Sequence, residues 1–197
     1  MKTLTIIPSR MSATRLPGKP LLKINGLSII SHVFRKAEQA DIGEVFVATE
    51  DQEIVDDVTK NGGNAILTSK NHKTGTDRIY EAFQIINSKD VDIILNLQGD
   101  EPAINIKDII GLNKKMISTQ SKMGTLAAEI KNFKDLENSN IVKVITKKDL
   151  KEDQFSLAET FTRNTKNVEN IYHHIGIYCY SSETLKKFVK LNQSKNE

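Results

Sequence analysis

Tryptophan is absent from this chain, cysteine occurs once, and aromatic residues make up only 6%. So few rings argue against a base-stacking surface for nucleic acid. The single cysteine, Cys179, excludes an internal disulfide framework, CxxC redox chemistry and a Cys-rich zinc site. It lies in an apolar run (residues 175–180) and reads as a small core residue rather than a nucleophile. Charge of one sign is also scarce: Lys+Arg 28 against Asp+Glu 25 leaves +3, too little and too evenly spread for a nucleic-acid binder. No stretch approaches the roughly 20 apolar residues that span a bilayer. The first seven residues hold one basic side chain, and Pro8 ends their apolar run, which is not a signal-peptide pattern. The cytoplasm is the expected location. Walker and Rossmann glycine patterns are missing, as is an HExxH pair.

What is present is an alternation of strand and helix signals. Its 197 residues suffice for one domain with a sizeable core. Residues 4–7 read as a first strand, and residues 21–24 as a short extended piece before the Asn25-Gly26 turn. Ile29, Ile30, Val33, Phe34 and Ala37 recur at helical spacing, which predicts a helix over 28–39. Further strands are predicted at 44–49, 64–67, 92–97, 124–130, 141–145 and 171–180. Helices are predicted after Asp51 as a cap, over 76–87 with Thr76 as cap, over 108–117, and over 182–191 with Ser182 as cap. The near-continuous apolar run DIILNL suits a parallel strand buried on both faces. The pattern predicts an α/β, Rossmann-like, mostly parallel mixed sheet with helices on both faces. A single domain, 1–197, is expected, with 147–170 as an excursion or interface segment.

The chemistry concentrates at strand exits. After the first strand, Arg10, Arg15 and Lys19 fall within ten positions, on a loop shaped by Pro8, Pro17, Gly18 and Pro20. Three cations there suit a polyanion such as a nucleoside triphosphate. After the buried strand comes Gln98-Gly99-Asp100-Glu101-Pro102. A carboxylate at that edge can hold Mg²⁺ against substrate phosphates, and a helix-capping role is the alternative. The run His72-Lys73-Thr74-Gly75-Thr76-Asp77-Arg78 reads as an anion- or base-contacting turn, or simply as a helix cap. His173 and His174 are adjacent on a strand and must point to opposite faces. Phosphate binding plus a metal fits nucleotidyl transfer.

The run IIPSRMSATRLPGKPL resembles the N-terminal signature of the 3-deoxy-manno-octulosonate cytidylyltransferases, or CMP-KDO synthetases. The resemblance continues in order through VATED (47–51), HKTGTDR (72–78), NLQGDEPAI (96–104), VKV (142–144) and HIGIYCY (174–180). It implies CMP transfer from CTP to 3-deoxy-D-manno-octulosonate (KDO), releasing pyrophosphate, in lipopolysaccharide synthesis by a cytoplasmic homodimer. By motif, Lys19 and Asp100 would be catalytic, with Asp100 binding Mg²⁺. Arg10, Arg15 and Lys19 would hold the triphosphate, and Thr76 and Arg78 would shape the cytidine side. Gln98 would lie near nucleotide and sugar, with Arg163, His174 and Tyr178 toward the sugar.

The chain departs from the family at Thr162-Arg163-Asn164-Thr165-Lys166-Asn167, where an SRAxIP-like motif belongs. That departure keeps open a related acidic sugar, such as 8-amino-KDO or a sialic acid. Family members also carry a later VDTPEDL-like motif with a second metal ligand, and this sequence stops at Lys195-Asn196-Glu197 without it. Weak activity, or a non-catalytic nucleotide-binding fragment, is the corresponding expectation.

Overall fold

The computed structural model describes residues 1–12, 16–151, 154–164 and 169–192. In chain order the elements are β1 (Lys2–Ser9), β2 (Lys23–Ile24), β3 (Leu27–Ser28), α1 (Ile29–Gln39), β4 (Gly43–Thr49), α2 (Gln52–Lys60), β5 (Ala65–Leu67), α3 (Gly75–Ile86) and β6 (Val91–Asn96). They continue with α4 (Ile106–Thr119), β7 (Met123–Ala128), α5 (Phe133–Glu137), β8 (Lys143–Thr146), β9 (Ala158–Thr162), β10 (Ile171–Ser181) and α6 (Ser182–Phe188). The chain divides into two compact units: Met1–Gly124 with Tyr178–Glu197, and Thr125–Ile177. The second unit starts well before the excursion anticipated at 147–170.

In the first unit the strand order is β5-β4-β1-β6, followed by the end of β10. β1 is parallel to both β4 and β6, and β4 to β5. Tyr178 to Ser181 run antiparallel to β6. Leu4 and Ile6 point to one face, where Ile79 and Ala82 of α3 and Leu185 of α6 join them in the core. By alternation Thr3 points to the other face, and its hydroxyl donates to Asn113 Oδ1 of α4 at 2.8 Å. Both faces of β1 are therefore covered, which is why residues 4, 6 and 7 are all apolar and fully buried. The mostly parallel mixed sheet with helices on both faces is as the sequence predicts.

Local signals explain most element ends. Ser28 caps α1, its Oγ accepting the Ser31 N–H at 3.2 Å, and Ile29, Ile30, Val33, Phe34 and Ala37 are buried. Two caps fall one or two residues earlier than the sequence suggests. α3 is capped by Thr74, not Thr76: Thr74 Oγ1 accepts the Asp77 N–H at 3.2 Å and donates to Asp77 Oδ2 at 2.7 Å. α6 is capped by Ser181, not Ser182, through the Thr184 N–H at 3.2 Å. In each case the cap is the last extended residue, because a capping hydroxyl must reach an N–H two or three positions ahead.

The strand sequence also sets where a ligand can sit. From β1 the chain moves outward through β4 to β5, then returns across α3 to place β6 on the opposite side of β1. The carboxyl ends of β1 and β6 flank the crevice at this reversal, the usual ligand position in an open α/β sheet.

In the second unit β9, β8 and the start of β10 form antiparallel neighbours, with Val144 opposite Phe161 and Ile171 opposite Ile145. Thr125 of β7 donates its hydroxyl to the Ile177 carbonyl at 2.7 Å. β9 has no counterpart in the sequence reading, because its residues, AETFT, lie mostly exposed and show no clean apolar alternation. Lys143 is fully buried, and its ammonium donates to the carbonyls of Asn138 at 2.6 Å and Arg163 at 2.8 Å.

Candidate active site

Four segments of the first unit converge. The exit of β1 supplies Pro8, Ser9 and Arg10, and the turn at Lys19–Leu21 supplies Lys19 and Pro20. The approach to α3 supplies His72 to Gly75, with Arg78 one turn on, and the exit of β6 supplies Gln98, Gly99 and Asp100. Together they line a cavity of about 300 Å³.

The β1 loop is closed at its base. The Gly18 N–H donates to the Met11 carbonyl at 3.0 Å, and Gly18 has φ 71, which favours glycine. The Met11 N–H donates to Asp51 Oδ2 at 2.7 Å. On the other side of the cavity, Gly99 lies so close to β1 that a Cβ there would stand 2.9 Å from the Pro8 carbonyl oxygen. This close approach brings Lys19 Nζ to 2.8 Å from Asp100 Oδ2. Arg10 is exposed and makes no ion pair among the described residues. Ser9 is buried, and its hydroxyl oxygen has no hydrogen-bond partner among the described residues.

The wall nearest α3 is fixed by two acids. The Arg78 guanidinium, 4% exposed, is ion-paired with Glu50 and donates to Thr68 Oγ1 at 2.6 Å and the Ser69 carbonyl at 3.3 Å. His72 is bonded to Glu81, whose carboxylate also accepts the Ser69 N–H at 2.8 Å. Burial alone would raise the Glu81 carboxyl; the bonds from His72 and Ser69 and the nearby charges of His72 and Arg78 outweigh it and leave it lowered.

The site residues anticipated from sequence do not all gather here. Arg10, Lys19, Gln98 and Asp100 line the cavity, as does Arg78. Arg15 lies outside the described residues, as do Thr165 to Asn167. Arg78 shapes the wall but does not present its charge, since Glu50, Thr68 and Ser69 occupy the guanidinium. Thr76 does not line the cavity: it is hydrogen-bonded to Tyr180, whose hydroxyl burial pushes up to about 12. Tyr178 stacks on Tyr180 at 6.2 Å between centroids and is likewise not a lining residue. Arg163 and His174 belong to the second unit. Arg163 is exposed there and donates to the Ser139 carbonyl at 3.0 Å. His174 is buried, 3.0 Å from Thr125 Oγ1 and edge-on to Phe161, and burial together with the charge of His173 lowers its pKa. His173 is exposed, so the two histidines do occupy opposite faces. Cys179 is fully buried, its thiol pushed up to about 12, as suits a core residue.

A cytidylyltransferase family model matches residues 4–197. The 3-deoxy-manno-octulosonate cytidylyltransferase of Rhodopseudomonas palustris (strain BisB18) is 43% identical over 199 residues, covering 100% of this chain and 80% of that protein. The enzyme of the same name from Nitrobacter hamburgensis is 41% identical, covering 100% of this chain and 76% of its own. The chain belongs to the 3-deoxy-manno-octulosonate cytidylyltransferase family. Among solved structures, a CMP:2-keto-3-deoxy-manno-octonic acid synthetase complexed with CTP superposes with a TM-score of 0.86 at 34% identity, covering 99% of this chain and 80% of that one. A 4-diphosphocytidyl-2C-methyl-D-erythritol synthase from Anaerococcus prevotii shares the fold, with a TM-score of 0.63 at 13% identity.

The fold gives distant partners to two acids whose neighbours in sequence say little about them. Glu50 and Asp51 sit in the VATED stretch, where nothing local distinguishes them from helix-start acids. Their partners, Arg78 and Met11, are distant in sequence, and only the strand order brings them near.

Proposed function

We propose that this protein transfers CMP from CTP to KDO, releasing pyrophosphate. The observation that carries the reading is the cavity at the β1/β6 crevice, where Arg10 and Lys19 stand beside Asp100 and Gln98. In the reaction the anomeric hydroxyl oxygen of KDO attacks the α-phosphorus of CTP. The new P–O bond forms as the bond to the β-phosphate oxygen breaks, and the hydroxyl proton is released. Arg10 and Lys19 neutralise the triphosphate and the departing pyrophosphate, which are charges that grow as the bond breaks. Gln98 offers an amide to nucleotide or sugar. Positioning of the two substrates supplies much of the acceleration.

Asp100 is the carboxylate that would hold Mg²⁺. It fits: its side chain is 54% exposed at the cavity, and one oxygen already has a cation, the Lys19 ammonium, as neighbour. No group of three or more His, Cys, Asp or Glu that could hold a metal occurs among the described residues. One carboxylate plus substrate phosphates and water is an ordinary Mg²⁺ environment, and the ion supplies charge neutralisation when bound. The same reading makes the protein a cytoplasmic homodimer in lipopolysaccharide synthesis. No helix among the described residues is long and apolar enough to cross a membrane.

Pyrophosphate release from CTP and Mg²⁺ tests the proposal, measured with KDO, with 8-amino-KDO, with a sialic acid and without sugar. Release that depends on KDO supports it. Preference for another acidic sugar would move the assignment to that acceptor. CTP binding without release from any sugar would leave a nucleotide-binding module.

A further inference from the structure

Asp51 occupies the N-cap of α2, yet its carboxylate makes no capping bond there. The Asp51 backbone carbonyl accepts the N–H groups of Ile54 at 3.1 Å and Val55 at 3.3 Å, and Glu53 supplies an acid to the first turn. The carboxylate instead accepts the Met11 N–H at 2.7 Å. The Asp51 N–H in turn donates to Thr49 Oγ1 at 3.1 Å.

The strand register explains this contact. β1 and β4 pair as Ser9 opposite Thr49, where the parallel ladder ends. Two residues further along each chain stand Met11 and Asp51. The backbones no longer pair there, and the Asp51 side chain takes over the acceptor role that a β4 carbonyl would have filled. Met11 is thereby held from both sides, its N–H by Asp51 and its carbonyl by Gly18. Arg10 precedes this clamp and Lys19 follows it, so the clamp ties down the backbone from which both cations extend.

We infer that Asp51 is a positioning residue for nucleotide binding: it anchors the cationic loop of β1 without touching the nucleotide. The inference rests on the proposed CTP chemistry for its consequence, though not for the anchor itself. A carboxylate placed near a triphosphate repels it, so the anchor must work through its hydrogen bond rather than through its charge. Asn keeps an acceptor oxygen and removes the charge, whereas Ala removes both.

Two measurements on the full chain test this. Amide hydrogen exchange of the nucleotide-free protein reads the anchor directly: Asp51→Ala accelerates exchange at Met11, and Asp51→Asn does so much less. Steady-state kinetics read the consequence. Asp51→Ala raises the KM for CTP about tenfold, the loss of one hydrogen bond. Its kcat and its KM for KDO stay within about threefold of wild type, because the anchor acts on binding rather than on a bond made only in the transition state. Asp51→Asn restores the KM for CTP. Unchanged Met11 exchange in Asp51→Ala overturns the anchor, whatever the enzyme's activity. Accelerated exchange with an unchanged KM for CTP overturns the positioning role. If Asp51→Ala does not fold, a tenfold loss of CTP affinity in folded Asp51→Asn would overturn it instead. A wild-type protein that binds CTP but releases no pyrophosphate with KDO sinks the proposed function and leaves the anchor standing.

Discussion

Lys19 Nζ and Asp100 Oδ2 face each other at 2.8 Å across the crevice between β1 and β6. Their side chains are 32% and 54% exposed, so the pair contributes at most about 1 kcal/mol to stability. Two opposite charges held at the mouth of a cavity of about 300 Å³ are better explained by chemistry than by folding. Asp100→Asn is expected to lower kcat by roughly 100-fold or more, while the melting transition moves little. Lys19→Met is expected to lower kcat as well, and to raise the KM for CTP. Pyrophosphate release and calorimetric melting of the same samples check both. A large loss of stability in either variant would mean that the pair is structural.

Gly99 sets the distance between the two loops. A Cβ at this position would meet the Pro8 carbonyl oxygen at 2.9 Å and Ile30 Cδ1 at 3.1 Å, and the carbonyl belongs to backbone that cannot swing aside. Gly99→Ala therefore pushes the Gln98 to Asp100 loop away from β1. A destabilisation of about 1–3 kcal/mol is expected, with a fall in kcat, read by denaturant unfolding and turnover.

Glu50 and Arg78 form the most enclosed ion pair among the described residues of the first unit, with side chains 15% and 4% exposed. Glu50→Ala leaves a buried guanidinium with only Thr68 and Ser69 as partners, which is expected to cost about 3–5 kcal/mol. Glu50→Gln keeps an acceptor and should cost less. Urea unfolding of the two variants against wild type measures the difference.

His174 predicts a pH dependence. Burial and then the charge of His173 lower its pKa below the ordinary 6.5. The unfolded chain therefore takes up a proton at this residue before the folded chain does. The sign follows: stability is full above pH 6.5, falls as the pH drops from 6.5 toward the lowered folded value, and falls no further from this source below it. His174→Gln should flatten that part of the stability profile, measured by chemical denaturation at a series of pH values.

Elements with local signals follow from short stretches of the chain alone. The buried run of β6, the helical spacing of Ile29 to Ala37 in α1, and the opposite faces of His173 and His174 were all legible from neighbours a few positions apart. So were Arg10, Lys19, Gln98 and Asp100, because a cationic or acidic loop at a strand exit keeps its character wherever the strand lies. What those loops meet depends on how distant segments pack together. β9 carries no local signal, because an edge strand lacks a buried face to impose alternation on AETFT. Thr76 has the residue type of a cap, but the helix starts at Gly75, so Thr74 caps α3 and Thr76 bonds to Tyr180. Glu50 and Asp51 look alike in sequence, two acids between a strand and a helix. One neutralises Arg78 and the other holds Met11, because the side-by-side order of β5, β4 and β1 fixes which distant group each carboxylate can reach.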